Sequence, residues 1–169
     1  MAKKKLRLVV KKSQLPKAGK GLYTKDFIKK GTRVIEYKGE IIDDKESERR
    51  AEEEDIYGYM FFINKKHCID AYYTPQHMAR YANDARGIAR VKGLKNNADY
   101  EIVGKKCFIT TTRDVEPGEE IFVDYGKEYW DVIRYNIKLD EKRAKEAAKK
   151  KLKKQQKATK KKKRKSAKK

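Results

Sequence analysis

The chain has 169 residues, with 46 Lys and Arg against 25 Asp and Glu, a formal net charge of +21 and only 38% hydrophobic residues. Residues 138–169 hold 18 basic and 3 acidic side chains, so a tail of net +15 follows a body of net +6 that is long enough to bury a core. No run of 18 apolar residues is available to span a membrane, the apolar stretch after Lys5 is too short for a secretory signal, and Cys68, Cys107, His67 and His77 lack zinc-ligand spacing.

In chain order, Leu6, Leu8 and Val10 alternate with Arg7 and Val9 and predict a first short strand. A loop follows over 16–21, and extended character resumes over 22–27. A turn at 29–32 leads into a strand over 33–37, which Lys38-Gly39 breaks before a short strand at 40–42. Residues 43–55 form the one strong helix of the body, capped by Asp43 or Asp44 and acid-rich in its first turn. That helix is charged almost all round and reads as a solvated surface element. Further strands are expected at 59–63, 68–70, 101–103, 106–110 and 121–123, with hairpin turns at 64–67 and 103–106. One short helix is expected within 75–81. Many short strands with few helices predict a mostly β domain of small sheets. In the tail, 140–154 reads as helical and 155–169 as too charged to fold alone.

Four stretches stand out. In Gly19-Lys20-Gly21-Leu22 a glycine pair lets backbone N–H groups approach a ligand, although no phosphate-loop Gly-Lys-Ser/Thr follows and no third glycine completes a dinucleotide fingerprint. Glu36-Tyr37-Lys38-Gly39-Glu40 puts a tyrosine at a strand end before a break. Ala79-Arg80-Tyr81-Ala82-Asn83-Asp84-Ala85 is a polar cluster after the short helix, followed downstream by Asn96-Asn97-Ala98-Asp99-Tyr100. A Pro117-Gly118 turn then feeds Glu120-Ile121-Phe122-Val123-Asp124-Tyr125-Gly126. Taken singly, each reads as a turn, a cap or an edge-strand aromatic; their joint order and spacing need another explanation.

In that order and spacing the four stretches resemble the successive motifs of SET-domain protein lysine methyltransferases, over roughly residues 7–130. The resemblance implies a fold of small β-sheets with a C-terminal pseudoknot, an exception to the rule against threading. The catalytic domain would be 7–130, a covering segment 131–139 and the Lys-rich tail 140–169. It implies S-adenosyl-L-methionine as methyl donor, a lysine ε-amine as acceptor and no metal. By the same resemblance Tyr125 is the catalytic tyrosine and Tyr37 and Tyr100 are channel tyrosines, while Tyr81 lies near the channel or in the core. Lys20, Gly21 and Leu22 match the backbone cradle for the donor's amino-acid moiety. Asn83 and Asp84 match the pair that contacts its amine and adenine, and Arg80 supports that loop. Trp130 stacks on adenine, covers the channel or clasps the C-terminal segment.

The pattern also departs from the family. Asp84-Ala85-Arg86 stands where His-Ser-Cys is usual, the 86–95 loop is longer and more basic, and Val123 occupies the usual Phe/Tyr position. The cysteine-rich module that normally follows is missing, which leaves Trp130 and 131–139, or a partner, to cover the substrate. The implied substrate is a histone-like or other chromatin-like basic protein. The tail, a polycation, is expected to bind nucleic acid and to place the chain at chromatin or a nucleoid, intracellular, and nuclear where a nucleus exists. A nucleic-acid-binding protein with an inactive SET-like module, and a methyltransferase of a non-histone protein, are the competing expectations. Oligomeric state is left open.

Overall fold

The computed structural model describes residues 5–54 and 57–166. Position 55, the expected end of the first helix, and the tail's last three residues, 167–169, lie outside the described residues. The chain divides into two units, Met1–Asp124 and Tyr125–Lys169.

In the first unit, β1 (Leu8–Lys12) pairs antiparallel with β2 (Lys20–Thr24), aligning Lys11 with Gly21. The strand starts two residues later than the alternation at Leu6 suggests. It also runs on through Lys11 and Lys12, which pair with Gly21 and Lys20 of β2 although they are polar and exposed. A second sheet has the order β3 (Arg33–Tyr37), β8 (Lys106–Thr111), β7 (Ala98–Val103), all antiparallel. Its inner face buries Tyr37, Cys107 and Ile109, residues two apart on their strands. The third sheet has the order β4 (Glu40–Ile42), β6 (His67–Asp70), β5 (Met60–Asn64). Gly39 makes the step from β3 to β4 possible: a Cβ there would overlap the Asp70 carbonyl oxygen and lie 2.8 Å from the Ala71 nitrogen.

Helix α1 (Asp44–Glu54) is capped by Asp43, whose Oδ1 accepts from the Glu46 N–H at 2.9 Å. It is less solvated than its composition suggests. Arg50 is 9% exposed and its guanidinium donates to Glu40, Glu46 and the fully buried Asp70, fastening the helix to the third sheet. The expected short helix is a 3-10 turn, Met78–Tyr81.

Residues 121–123, expected as a strand, join Glu120 in making single bridges to three different earlier segments instead. Glu120 pairs with Tyr23, Phe122 with Asn83 and Val123 with Ala98, the last two in parallel. Ile121 N–H donates to Leu22 O at 2.7 Å, Val123 N–H to Asn83 O at 2.9 Å, and Phe122 O accepts from both Asn97 and Ala98. A late segment is thus inserted among three earlier ones. Ile121, Phe122 and Val123 are all buried there.

The second unit is dominated by α2 (Lys127–Ser166), a 40-residue helix that runs on through the tail beyond Lys154. Lys, Ala and Gln are all good helix formers. Within this unit Tyr125, Tyr129 and Trp130 pack on one another. Among the described residues no helix is long and apolar enough to cross a membrane.

Candidate active site

The first unit brings three aromatic rings together where its second and third sheets meet. Tyr37, at the end of β3, lies 5.9 Å from Tyr100 of β7, edge to face, and 5.9 Å from Phe61 of β5; Phe61 and Tyr100 are 4.8 Å apart. Register explains the meeting: Tyr37 faces Cys107 while Tyr100 faces Ile109, so the two tyrosines lie diagonally on one face of the sheet. Tyr37 is 6% exposed and its hydroxyl donates to the Tyr59 carbonyl at 3.0 Å. Burial raises its pKa well above the ordinary tyrosine value, so it stays a neutral hydroxyl.

A polar corner sits at the start of β2. Asn83 Nδ2 donates to the Lys20 carbonyl at 2.9 Å and to Glu120 Oε1 at 3.3 Å, tying the 83 loop to the Gly19–Leu22 stretch. Glu120 is buried and also accepts from Ser13 Oγ at 2.6 Å, Gln14 N–H at 2.8 Å and the Tyr23 hydroxyl at 2.8 Å. Tyr23 is pushed up to about 12, by burial first and then by its bond to that carboxylate. Gly21 is required beside it, because a Cβ would overlap Glu120 Oε1. Leu22, next on the strand, is fully buried.

Asp84 is 3% exposed, and its Oδ1 accepts from the Arg86 N–H at 2.7 Å and from Asn96 Nδ2 at 2.9 Å. Asn96 Oδ1 in turn accepts from the Ala85 N–H at 2.8 Å. The pair therefore closes the base of the long 86–95 loop, and Val91 and Leu94 pack it onto Leu15, Ala85 and Phe122. With the loop closed, Asn97 clamps the inserted segment, donating to Glu120 O at 2.8 Å and accepting from Phe122 N–H at 2.9 Å. Tyr100 then follows in register on β7. Arg80 and Tyr81 stand between the two regions, with the Lys20 ammonium 5.7 Å and the Arg80 guanidinium 5.4 Å from the Tyr81 ring centroid. Tyr81 donates its hydroxyl proton to Pro75 O at 3.2 Å.

Tyr125 and Trp130 belong to the second unit, where their rings stack at 5.8 Å and 12° and Tyr129 packs edge-on against both. Cys68 and Cys107 are buried and not disulfide-bonded, and burial pushes both thiols up to about 12. No group of three or more metal-ligating side chains occurs among the described residues.

Sequence reasoning passed over Phe61, Tyr59 and the role of Glu120. Phe61 lies opposite buried Ile69 in the third sheet. The donor atom set suits S-adenosylmethionine. No partner for Asn83 Oδ1 is found among the described residues, so it can accept from the donor's α-ammonium, and the exposed Lys20 ammonium complements its carboxylate.

A family model described as SET domain matches residues 19–126. The histone-lysine N-methyltransferase EZH2 of Chaetomium thermophilum is 30% identical over 150 residues, covering 82% of this chain and 9% of that protein. The histone-lysine N-methyltransferase set-1 of Caenorhabditis elegans is 29% identical over 127 residues, covering 70% of this chain and 50% of that one. The chain thus spans half or less of these relatives. Among solved structures, an active polycomb repressive complex 2 in the basal state matches with a TM-score of 0.59 at 29% identity, over 72% of this chain and 15% of that one. A second, ctPRC2 in an autoinhibited conformation bound to S-adenosylmethionine, has a TM-score of 0.59 and covers 73% of this chain and 15% of that one.

Proposed function

This chain belongs to the SET-domain family of protein lysine methyltransferases, and we propose that it transfers a methyl group from S-adenosyl-L-methionine to a lysine ε-amine of a histone-like basic protein. The chemical difficulty is the acceptor. A free lysine has a pKa of about 10.4, so at pH 7 roughly one in 2,500 is neutral, a cost of about 4.6 kcal/mol. The observation that carries the reading is the packing of Tyr37, Phe61 and Tyr100 into one apolar aromatic wall. Such a wall excludes water from an entering ammonium and so favours its neutral form.

Tyr37 donates its own proton to the Tyr59 carbonyl, which leaves a hydroxyl lone pair to accept an N–H of the amine and aim its nitrogen. Phe61 and Tyr100 confine the lysine's methylene stem. Asn83 and the Lys20 ammonium hold the donor's amino-acid end, and Asp84 holds the Asn83 loop in place through its bonds to Arg86 and Asn96. Bound there, S-adenosylmethionine supplies a methyl carbon on a positively charged sulfur. Tyr125 and Trp130 enter through the resemblance of Asp124-Tyr125-Gly126 and its flank to the family's last motif: Tyr125 orients the amine, and Trp130 covers the site. The Lys-rich tail binds nucleic acid and concentrates the protein where basic, nucleic-acid-bound substrates are found.

The test is methyl transfer from labelled S-adenosylmethionine to core histones, linker histone or no added substrate. Wild type is expected to label a histone lysine, and Tyr125→Phe to lose on the order of a hundredfold in rate. Absence of transfer together with absence of donor binding would sink the enzymatic reading. Label confined to the protein's own lysines would overturn the choice of substrate.

A further inference from the structure

Arg80 sits between the donor corner and the aromatic wall, and its contacts lead to the wall. Its guanidinium carbon lies 4.1 Å from the centroid of the Tyr59 ring. Nη1 donates to the Tyr72 carbonyl at 2.6 Å, and the Tyr72 ring packs edge-on against Tyr59 at 5.4 Å. Nε is buried and has no hydrogen-bond partner among the described residues, so the Tyr59 and Tyr81 rings and the Tyr72 carbonyl are what hold the side chain, the Tyr59 ring most closely. The Tyr59 carbonyl is the acceptor for the Tyr37 hydroxyl and also for the Ala71 N–H at 3.1 Å. One cation therefore grips both sides of the backbone junction on which the Tyr37 hydroxyl depends.

We propose that Arg80 is a positioning residue for the acceptor side of the site: by clamping the Tyr59 ring it fixes the carbonyl that sets the direction of the Tyr37 O–H bond. This rests on the reading of Tyr37 as the hydroxyl that receives the lysine amine. The physical logic is that a phenol O–H takes either of two orientations near its ring plane unless its proton has one dominant acceptor. The Tyr59 carbonyl can play that part only while its residue is held. A cation over an aromatic face, half withdrawn from water, holds a ring more firmly than apolar packing alone. When the clamp is lost, Tyr37 keeps its place in the wall but its lone pair no longer points one way. Alignment of the amine suffers, while donor binding at Lys20 and Asn83 does not.

The experiment compares wild type with Arg80→Lys, Tyr59→Leu, Tyr59→Phe and Tyr37→Phe, and with Arg80→Lys combined with Tyr37→Phe. Arg80→Lys and Tyr59→Leu are expected to lower kcat about tenfold, with the affinity for S-adenosylhomocysteine, measured by calorimetry, within about twofold of wild type. Tyr59→Phe keeps the ring and keeps kcat. In the Tyr37→Phe background, Arg80→Lys changes kcat by less than about twofold, because its effect runs through the missing hydroxyl. A tenfold loss that persists in that background, or a matching loss of S-adenosylhomocysteine affinity, overturns the proposal and gives Arg80 to the donor loop. A second readout does not need turnover. The Tyr37 hydroxyl proton, followed by NMR, should exchange with water about tenfold faster in Arg80→Lys. An unchanged exchange rate overturns the clamp even if wild type methylates none of the substrates offered, a result that would count separately against the methyltransferase reading.

Discussion

Two glycines show how single residues set the site. Gly39 lies where β4 leaves the Tyr37 strand end, and any Cβ there meets backbone rather than a movable side chain. Gly39→Ala is therefore expected to cost about 1–3 kcal/mol, the usual range for overpacking that neighbours cannot relieve. A denaturant titration checks it, and an unchanged midpoint would contradict the contact. Gly21 is different, because its neighbour is the Glu120 carboxylate, whose four protein donors would have to shift with it. Both glycines, and the tyrosines at 37 and 100, were legible as motif positions. Phe61 was not, since the apolar run Met60-Phe61-Phe62-Ile63 hides which side chain faces inward until Ile69 is seen opposite. The part played by Glu120 was hidden for another reason: its partners lie 97 and 107 residues upstream.

Among elements, α1 joins the fold through charge. Glu46 accepts from Arg49 and Arg50, and those bonds hold its carboxyl down at about 2 against an ordinary 4.5. Arg50 then reaches Glu40 and Asp70 in the third sheet. A carboxyl whose folded pKa is depressed adds stability above its unfolded value, and that contribution is lost as pH falls through the folded one. The urea midpoint is thus expected to decline between about pH 4.5 and pH 2, and Glu46→Gln to flatten that decline. Equal slopes in the two proteins would remove Glu46 from the account. The helix itself was readable from Asp43 and the acidic first turn. Its buried arginine was not, because sequence marks an arginine as charged without showing that Glu40 and Asp70 wait for it on separate strands.

At the scale of the whole molecule, the small sheets follow from alternation and turn residues. The single bridges of 120–123 do not, since an apolar run looks the same whether it joins one sheet or several segments. The helical tail carries its own prediction. Neutralising 6–10 phosphates gives a log–log salt slope on the order of −5 to −9 for duplex DNA, and truncation after Leu139 should remove most of it. A slope that survives truncation would move nucleic-acid binding to the body. The inserted segment has one more consequence, for the order in which the protein comes into being. Its Glu120 and Ile121 add to β2 across a span of 97 residues, and its Phe122 and Val123 bridge to Asn83 and to Ala98 of β7 nearer by. Closing so long a loop is entropically slow, and such long-range pairings come late. On the ribosome, the donor corner and the aromatic wall stay unjoined until nearly the entire body has emerged. The nascent chain, which already contains every motif before residue 120, is thereby left with these two regions apart until the inserted segment has been made.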